Sequence, residues 1–134
     1  MKILFVCKYN RYRSKIAESV FNRLNKNPSN EAKSAGMIRG SPISQSIIGA
    51  AEKAGYPIKG VPQGLSTELL KWHDLPIIVA NDVPRAIFND NERYGHKAPI
   101  VWKIQDTASE NIEDMQPTIL EIEKKIISLL KRLK

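Results

Sequence analysis

The chain has 134 residues, of which 42% are apolar, and a formal net charge of +7. This length and apolar content suit one domain with a single core, spanning residues 1–134. The apolar start is too short for a secretory signal, no apolar run approaches the roughly 20 residues of a membrane-spanning helix, and the single cysteine suits a reducing compartment, so we expect a cytoplasmic protein without membrane partners.

Apolar runs and helical periodicities alternate along the chain. Strands are predicted near residues 2–6, 31–35, 75–80 and 98–102, and the first, third and fourth of these are apolar runs. Runs without polar alternation are typical of parallel strands covered on both faces, so they predict an α/β sandwich. Helices are predicted near residues 14–25, 44–55 and 66–72, with a short one near 83–89 and a last one that begins at Pro117.

The junction between the first strand and the first helix contains the only cysteine. Cys7 is followed by five residues and then by Arg13 and Ser14. A thiolate is favoured at a helix N-terminus beside cations, and five intervening residues let backbone N–H groups curl around a tetrahedral oxyanion. The Arg13 guanidinium can grip two oxygens of that anion. The pattern therefore predicts metal-free attack of sulfur on phosphorus; the alternative is a buried structural cysteine.

Ser14 has two predicted tasks. It directly precedes the helical periodicity, which predicts that its side chain caps the following helix. Its hydroxyl is also expected near the Cys7 sulfur, where it would help the thiolate to leave when a phosphocysteine is hydrolysed.

These residues resemble the low-molecular-weight protein tyrosine phosphatases, whose fold is shared with thioredoxin-coupled arsenate reductases. The resemblance includes ILFVCKYNRYRSKIAESVFNRL at the start, KSAG at residues 33–36 and VWKIQD at residues 101–106. It implies a three-layer α/β/α sandwich with a four-stranded parallel sheet. It also implies hydrolysis, without metal or cofactor, of phosphotyrosine in proteins or of small aryl phosphates, with inorganic phosphate as product. On this resemblance Cys7 is the nucleophile, Arg13 the phosphate clamp, Asn10 the left-handed residue of the loop and Ser14 the thiolate partner.

The loop after Cys7 departs from the family pattern at three positions. The family usually has glycine two places after the nucleophile, an aliphatic residue four places after and often a second cysteine five places after. Here Tyr9 is expected to narrow or reshape the pocket mouth, and Arg11 adds a cation that is expected either to favour the thiolate of Cys7 or to attract the substrate. Without a second cysteine, oxidised Cys7 needs an external thiol. We expect the substrate to be bound by the loop residues Lys8, Tyr9, Asn10, Arg11, Tyr12, Arg13 and Ser14.

Cleavage of a phosphate ester also needs an acid for the departing oxygen, which then accepts a proton from water. In the resembling family this acid follows a late strand and usually precedes proline. Asp106 follows the predicted strand near 98–102 but lacks the proline, so a turn carboxylate is its alternative role. Asp82, at another strand end, is the alternative acid. Because ligands of parallel sheets lie beyond the carboxyl ends of strands, we expect Cys7, Asp82 and Asp106 at one edge.

Three other functions stay open. Arsenate mimics phosphate, so an arsenate reductase that uses an external thiol is one alternative; the thioredoxin-coupled type needs further cysteines. A phosphate sensor with slow turnover is another alternative. Family members that favour phosphotyrosine often have aromatic residues just after this acid, whereas none follows Asp106 here. The positive charge permits nucleic-acid binding, but no recognised motif accompanies it and the Cys7 loop would be unexplained.

The two histidines are not expected to bind a metal. His73 and His96 lie far apart in the sequence, and a single cysteine cannot complete a metal-ligand cluster with them. We expect surface or supporting roles for both. Asp74, beside His73, is likewise expected to support the structure.

Overall fold

The computed structural model describes residues 1–91 and 95–133. Its sheet has four parallel strands. They are β1 (Lys2–Cys7), β2 (Glu31–Gly36), β3 (Leu75–Val79) and β4 (Ile100–Trp102). Their spatial order is β2-β1-β3-β4, so β1 lies inside the sheet and Cys7 ends a central strand opposite Gly36.

Helices cover both faces of this sheet. They are α1 (Arg13–Leu24), α2 (Gln45–Lys53), α3 (Thr67–Trp72) and α4 (Ile112–Arg132), with a 3-10 turn at Arg85–Phe88. One hydrophobic cluster joins Ile3, Phe5 and Ile77 to α1, α2 and α4. A second joins Leu4 and Ile78 to α3 and the 3-10 turn. Since successive strand residues point to opposite faces, these two clusters confirm the predicted three-layer α/β/α sandwich.

The last helix starts earlier than the sequence predicts. α4 begins at Ile112, because the Asn111 side chain caps it by accepting a hydrogen bond of 2.9 Å from the Glu113 N–H. The prediction that Pro117 begins this helix is wrong. Pro117 lies in the second turn, where its ring removes one intrahelical hydrogen bond. β4 is also shorter than its predicted range, since Ala98 and Pro99 precede it.

His73 has a supporting role inside the fold. Its side chain is fully buried, and burial lowers its pKa. Nδ1 lies 3.1 Å from the Leu69 carbonyl oxygen, and the ring stacks on His96 with centroids 4.4 Å apart. Asp74 supports the sheet edge by accepting a 2.8 Å hydrogen bond from the Lys2 N–H. No group of three or more metal-ligating side chains forms among residues 1–91 and 95–133.

Within these same ranges, no helix is both long and apolar enough to cross a membrane.

Candidate active site

In the loop between β1 and α1, three carbonyls accept hydrogen bonds from the protein, whereas the N–H groups of residues 8–12 donate none among the described residues. The carbonyls of Cys7, Lys8 and Tyr9 accept hydrogen bonds of 2.8 to 3.1 Å from backbone N–H groups in segment 37–40. Among the hydrogen bonds of the described residues, none has a backbone N–H of residues 8–12 as its donor. Five consecutive donors thus remain available, which is the arrangement that binds an oxyanion.

Two glycines let the rest of the chain approach this loop. A Cβ atom on Gly36 would lie 2.7 Å from the Tyr9 carbonyl carbon and 2.8 Å from the Asn10 nitrogen. A Cβ atom on Gly40 would lie 2.7 Å from the Tyr9 oxygen and 2.8 Å from Cγ of Arg11. All four distances are too short for a Cβ atom, so the loop conformation requires glycine at both positions.

Asn10 holds the centre of the loop. Its φ of +56° lies in the left-handed region, which asparagine tolerates better than most residues. Its buried amide oxygen accepts a 2.9 Å bond from the Gln63 N–H. Because that N–H can only donate, the amide orientation is determined, and Nδ2 must donate to the hydroxyls of Ser14 at 2.7 Å and Ser34 at 3.0 Å.

Each of these two hydroxyls also lies within hydrogen-bond distance of a further group. Ser34 donates to Oε1 of Glu18 at 2.6 Å. The Ser14 hydroxyl oxygen lies 2.9 Å from the Cys7 sulfur, and when Cys7 is a thiolate only the hydroxyl of this pair carries a proton, so Ser14 is then the donor. The chain of bonds therefore places a hydroxyl within hydrogen-bond distance of the sulfur.

The prediction that Ser14 caps α1 is wrong, because its hydroxyl is occupied by this chain of bonds. α1 begins at Arg13 with Tyr12 at the N-cap position, and no side-chain hydrogen bond caps it. The first turn also contains no acidic residue. The positive end of the helix dipole therefore acts on the loop without a nearby counter-charge in that turn.

Arg13 joins the loop to the ends of β3 and β4. Its side chain is 2% exposed, and Nη1 donates to the Ile104 carbonyl at 3.0 Å. Nη2 lies 3.0 Å from Oδ1 of Asp82 and 3.6 Å from Oδ2 of Asp106. The sheet edge thus gathers the two carboxylates around one guanidinium, which restricts its orientation.

A small cavity of about 70 Å³ opens at Cys7. Asp106 lines it, whereas Asp82 does not. Among the predicted substrate-binding residues, Tyr9, Arg11, Tyr12 and Arg13 line the cavity, while the side chains of Lys8, Asn10 and Ser14 do not. The complete lining is Cys7, Tyr9, Arg11, Tyr12, Arg13, Ile47, Asp106, Thr107, Ser109, Glu110 and Met115.

Two further loop and helix residues have shifted pKa values. Tyr12 is 4% exposed, and burial raises its pKa to about 12. Its hydroxyl donates to the Met115 carbonyl at 2.9 Å, so it forms a neutral wall anchored to α4. Burial also lowers the pKa of Lys15, an effect that nearby Lys59 adds to and Glu18 opposes.

Several supporting residues were not predicted as part of the site. Ser34 and Gly36 lie in the last three residues of β2. Glu18 on α1 accepts a hydrogen bond from Ser34, and Gln63, far along the chain, donates to Asn10 in the loop. The sequence offered a signal for two of them. Ser34 and Gly36 stand at the carboxyl end of a predicted parallel strand, where ligand sites of such sheets lie.

The family model described as low molecular weight phosphotyrosine protein phosphatase matches residues 2–134. The chain belongs to this family. Its membership confirms the resemblance inferred from the Cys7 loop. No curated protein sequence matches the chain significantly.

Solved structures of this phosphatase family and of arsenate reductases share the fold. The low-molecular-weight protein tyrosine phosphatase from T. tengcongensis is 27% identical, with a TM-score of 0.83 over 98% of this chain and 99% of that one. The YwlE arginine phosphatase from Geobacillus stearothermophilus is 20% identical, with a TM-score of 0.82 over 98% and 92%. An arsenate reductase from Archaeoglobus fulgidus is 23% identical, with a TM-score of 0.74 over 96% and 98%.

Proposed function

We propose that this phosphatase-family member hydrolyses phosphate monoesters through a phosphocysteine on Cys7, without a metal ion. The observation that carries the proposal is the bond of 2.9 Å between the Cys7 sulfur and the Ser14 hydroxyl, beside five backbone N–H groups with no acceptor among the described residues. A thiolate supported in this way is a nucleophile, and the N–H groups suit the oxygens of a phosphoryl group.

In the first step the Cys7 sulfur attacks phosphorus in line with the departing oxygen. An S–P bond forms while the P–O bond of the ester breaks, and the leaving oxygen takes a proton from Asp106. The loop N–H groups and the Arg13 guanidinium stabilise the charge on the three phosphoryl oxygens. Asp106 is proposed as the acid because it lines the cavity with Cys7, whereas Asp82 is proposed to orient Arg13.

In the second step water attacks phosphorus from the side that the leaving group has vacated. Asp106 accepts a proton from this water, the S–P bond breaks, and inorganic phosphate is released. The Cys7 sulfur departs as a thiolate, and the Ser14 hydroxyl donates a hydrogen bond to it. The enzyme then returns to its starting protonation state.

Aromatic side chains at the cavity favour aryl phosphates, including phosphotyrosine in proteins. Tyr9 lies at the mouth with 40% of its surface exposed, and Tyr12 forms an inner wall. Both come from the loop itself, so they supply the aromatic contact that residues after Asp106 do not. In a related fold, Wzb from Vibrio vulnificus was solved in complex with benzylphosphonate, at 20% identity and a TM-score of 0.80. We also propose a cytoplasmic location, which keeps Cys7 reduced.

The direct test is to trap the intermediate. The protein is mixed with p-nitrophenyl phosphate in the presence of EDTA, quenched in acid, digested and analysed by mass spectrometry. We expect undiminished turnover in EDTA and a phosphate group on the peptide that contains Cys7. Loss of activity on chelation, or turnover with no phosphocysteine, would contradict the mechanism. Production of arsenite from arsenate and an added thiol, without phosphatase turnover, would instead favour the reductase.

The Ser14 hydroxyl gives a second prediction. Ser14→Ala removes the donor to the departing sulfur, so we expect hydrolysis of the phosphocysteine to slow by about 10- to 100-fold. Rapid-quench kinetics should show a burst of phenol release followed by slow turnover, with more phosphocysteine at steady state. Ser19→Ala is a matched control, because Ser19 also lies on α1 but donates to the Pro57 carbonyl outside the cavity. Equal slowing of the burst and the steady state would argue against this role for Ser14.

A further inference from the structure

Arg11 is a cation of the cavity that the phosphate mechanism does not use. Arg13 is engaged by Asp82 and Asp106, whereas Arg11 forms no ion pair with any carboxylate in residues 1–91 and 95–133. Arg11 nevertheless lines the same cavity as Cys7 and is half-buried. A guanidinium without a carboxylate partner among the described residues, in the cavity that Cys7 lines, therefore needs a role of its own.

The surroundings of Arg11 hold its side chain in place. Its stem packs against Gly40, where a Cβ atom would come within 2.9 Å of Cδ. Nη2 donates to the Pro42 carbonyl at 3.2 Å, and Nε is buried without a hydrogen-bond partner among the described residues. One of the five N–H donors of this guanidinium is thus bonded within the protein. The remaining donors give the cavity wall a positive charge at a defined position.

We propose that Arg11 binds an anionic substituent on the leaving group, so that this enzyme prefers phosphate monoesters whose alcohol carries a negative charge. The proposal rests on the phosphatase function, because it concerns the group that Cys7 displaces. The phosphoryl group itself occupies the loop N–H groups and Arg13. Arg11 stands four residues beyond Cys7 on the wall of the cavity, which is available to the rest of the substrate.

Two carboxylates also line the cavity and reduce its positive charge. Asp106 lies 3.6 Å from Arg13, and its Oδ1 accepts a bond from the Thr107 N–H, so its charge is partly compensated. Glu110 is exposed, and solvent and salt screen its charge. Arg11 is more enclosed than Glu110, so its interaction with a bound substituent is screened less.

The same charge disfavours cationic leaving groups. Phosphoarginine leaves as a guanidinium compound, and one structure with this fold is described as an arginine phosphatase. A fixed cation at position 11 would repel such a leaving group as the P–N bond breaks. We therefore infer that phosphoarginine is a poor substrate here, although the fold is shared.

The test compares three substrates that differ in charge. They are 4-(carboxymethyl)phenyl phosphate, its neutral carbamoylmethyl analogue and the cationic 4-(2-aminoethyl)phenyl phosphate, in which methylene groups keep the phenol acidities similar. We expect kcat/KM to fall in that order. Arg11→Met should reduce the ratio of anionic to neutral substrate by about tenfold, and Arg11→Lys should retain most of it. Added salt should lower the ratio of anionic to neutral substrate for the wild type. The same salt should change that ratio less in Arg11→Met, which lacks the cation.

Any effect of Arg11 on the phosphoryl group is common to the anionic and the neutral substrate. The ratio of their kcat/KM values is therefore independent of that effect. If none of the three substrates is hydrolysed by the wild type, the phosphatase function fails. If the wild type hydrolyses all three with equal kcat/KM, or if Arg11→Met keeps the wild-type ratio, the phosphatase function stands and the role of Arg11 is wrong.

Discussion

Cys7→Ser should lower the turnover of p-nitrophenyl phosphate by about four to six powers of ten. A serine hydroxyl ionises far above neutral pH, so it cannot provide the anionic nucleophile that the thiolate provides. The substitution changes one atom and preserves the bonds of Asn10 and Ser14, so the loop should keep its shape. Steady-state kinetics on the purified variant, with thermal unfolding as the check on folding, gives the measurement.

Phosphate binding separates the chemical defect from a structural one. Because the loop N–H groups and Arg13 are unchanged, Cys7→Ser should still bind inorganic phosphate, as measured by calorimetry. The chain has no other thiol, so iodoacetamide labelling reports on Cys7 alone, and phosphate should protect the wild type from it. Turnover near the wild-type level in Cys7→Ser would exclude sulfur as the nucleophile.

Asp106→Asn should slow the hydrolysis of aryl phosphates with poor leaving groups by roughly two to four powers of ten, and that of activated esters far less. An amide cannot donate the proton that a basic phenolate needs, whereas an acidic phenol departs without it. The dependence of kcat/KM on leaving-group pKa should therefore become steeper. A series of substituted phenyl phosphates measures this slope.

Asp82→Asn is the matched control, because both carboxylates lie beside Nη2 of Arg13 and both substitutions remove one negative charge. We expect it to weaken phosphate binding through Arg13 while leaving the slope unchanged. The opposite result, a steeper slope in Asp82→Asn and an unchanged slope in Asp106→Asn, would identify Asp82 as the acid.

Resemblance and local pattern together predicted most of the fold but not all of its boundaries. Apolar runs located β1, β3 and β4, because parallel strands that are covered on both faces are rich in apolar residues. β2 is more polar, and Glu31 and Lys33 on it are exposed. The start of α4 was misjudged because proline is typical of a first helical turn, whereas Asn111, six residues before Pro117, caps the helix. The strand order was not predictable, since each strand carries the same apolar signal whichever neighbour it pairs with.

The sequence by itself determined the proposed nucleophile and the proposed anion-binding loop, because Cys7, Arg13 and the intervening N–H groups lie within seven consecutive residues and their geometry is largely local. Only the tertiary structure decided what surrounds them. The order β2-β1-β3-β4 brings Ser34 to one side of the loop and Asp82 and Asp106 to the other. Distances between such residues depend on how strands pack, and spacing along a chain carries no information about that packing.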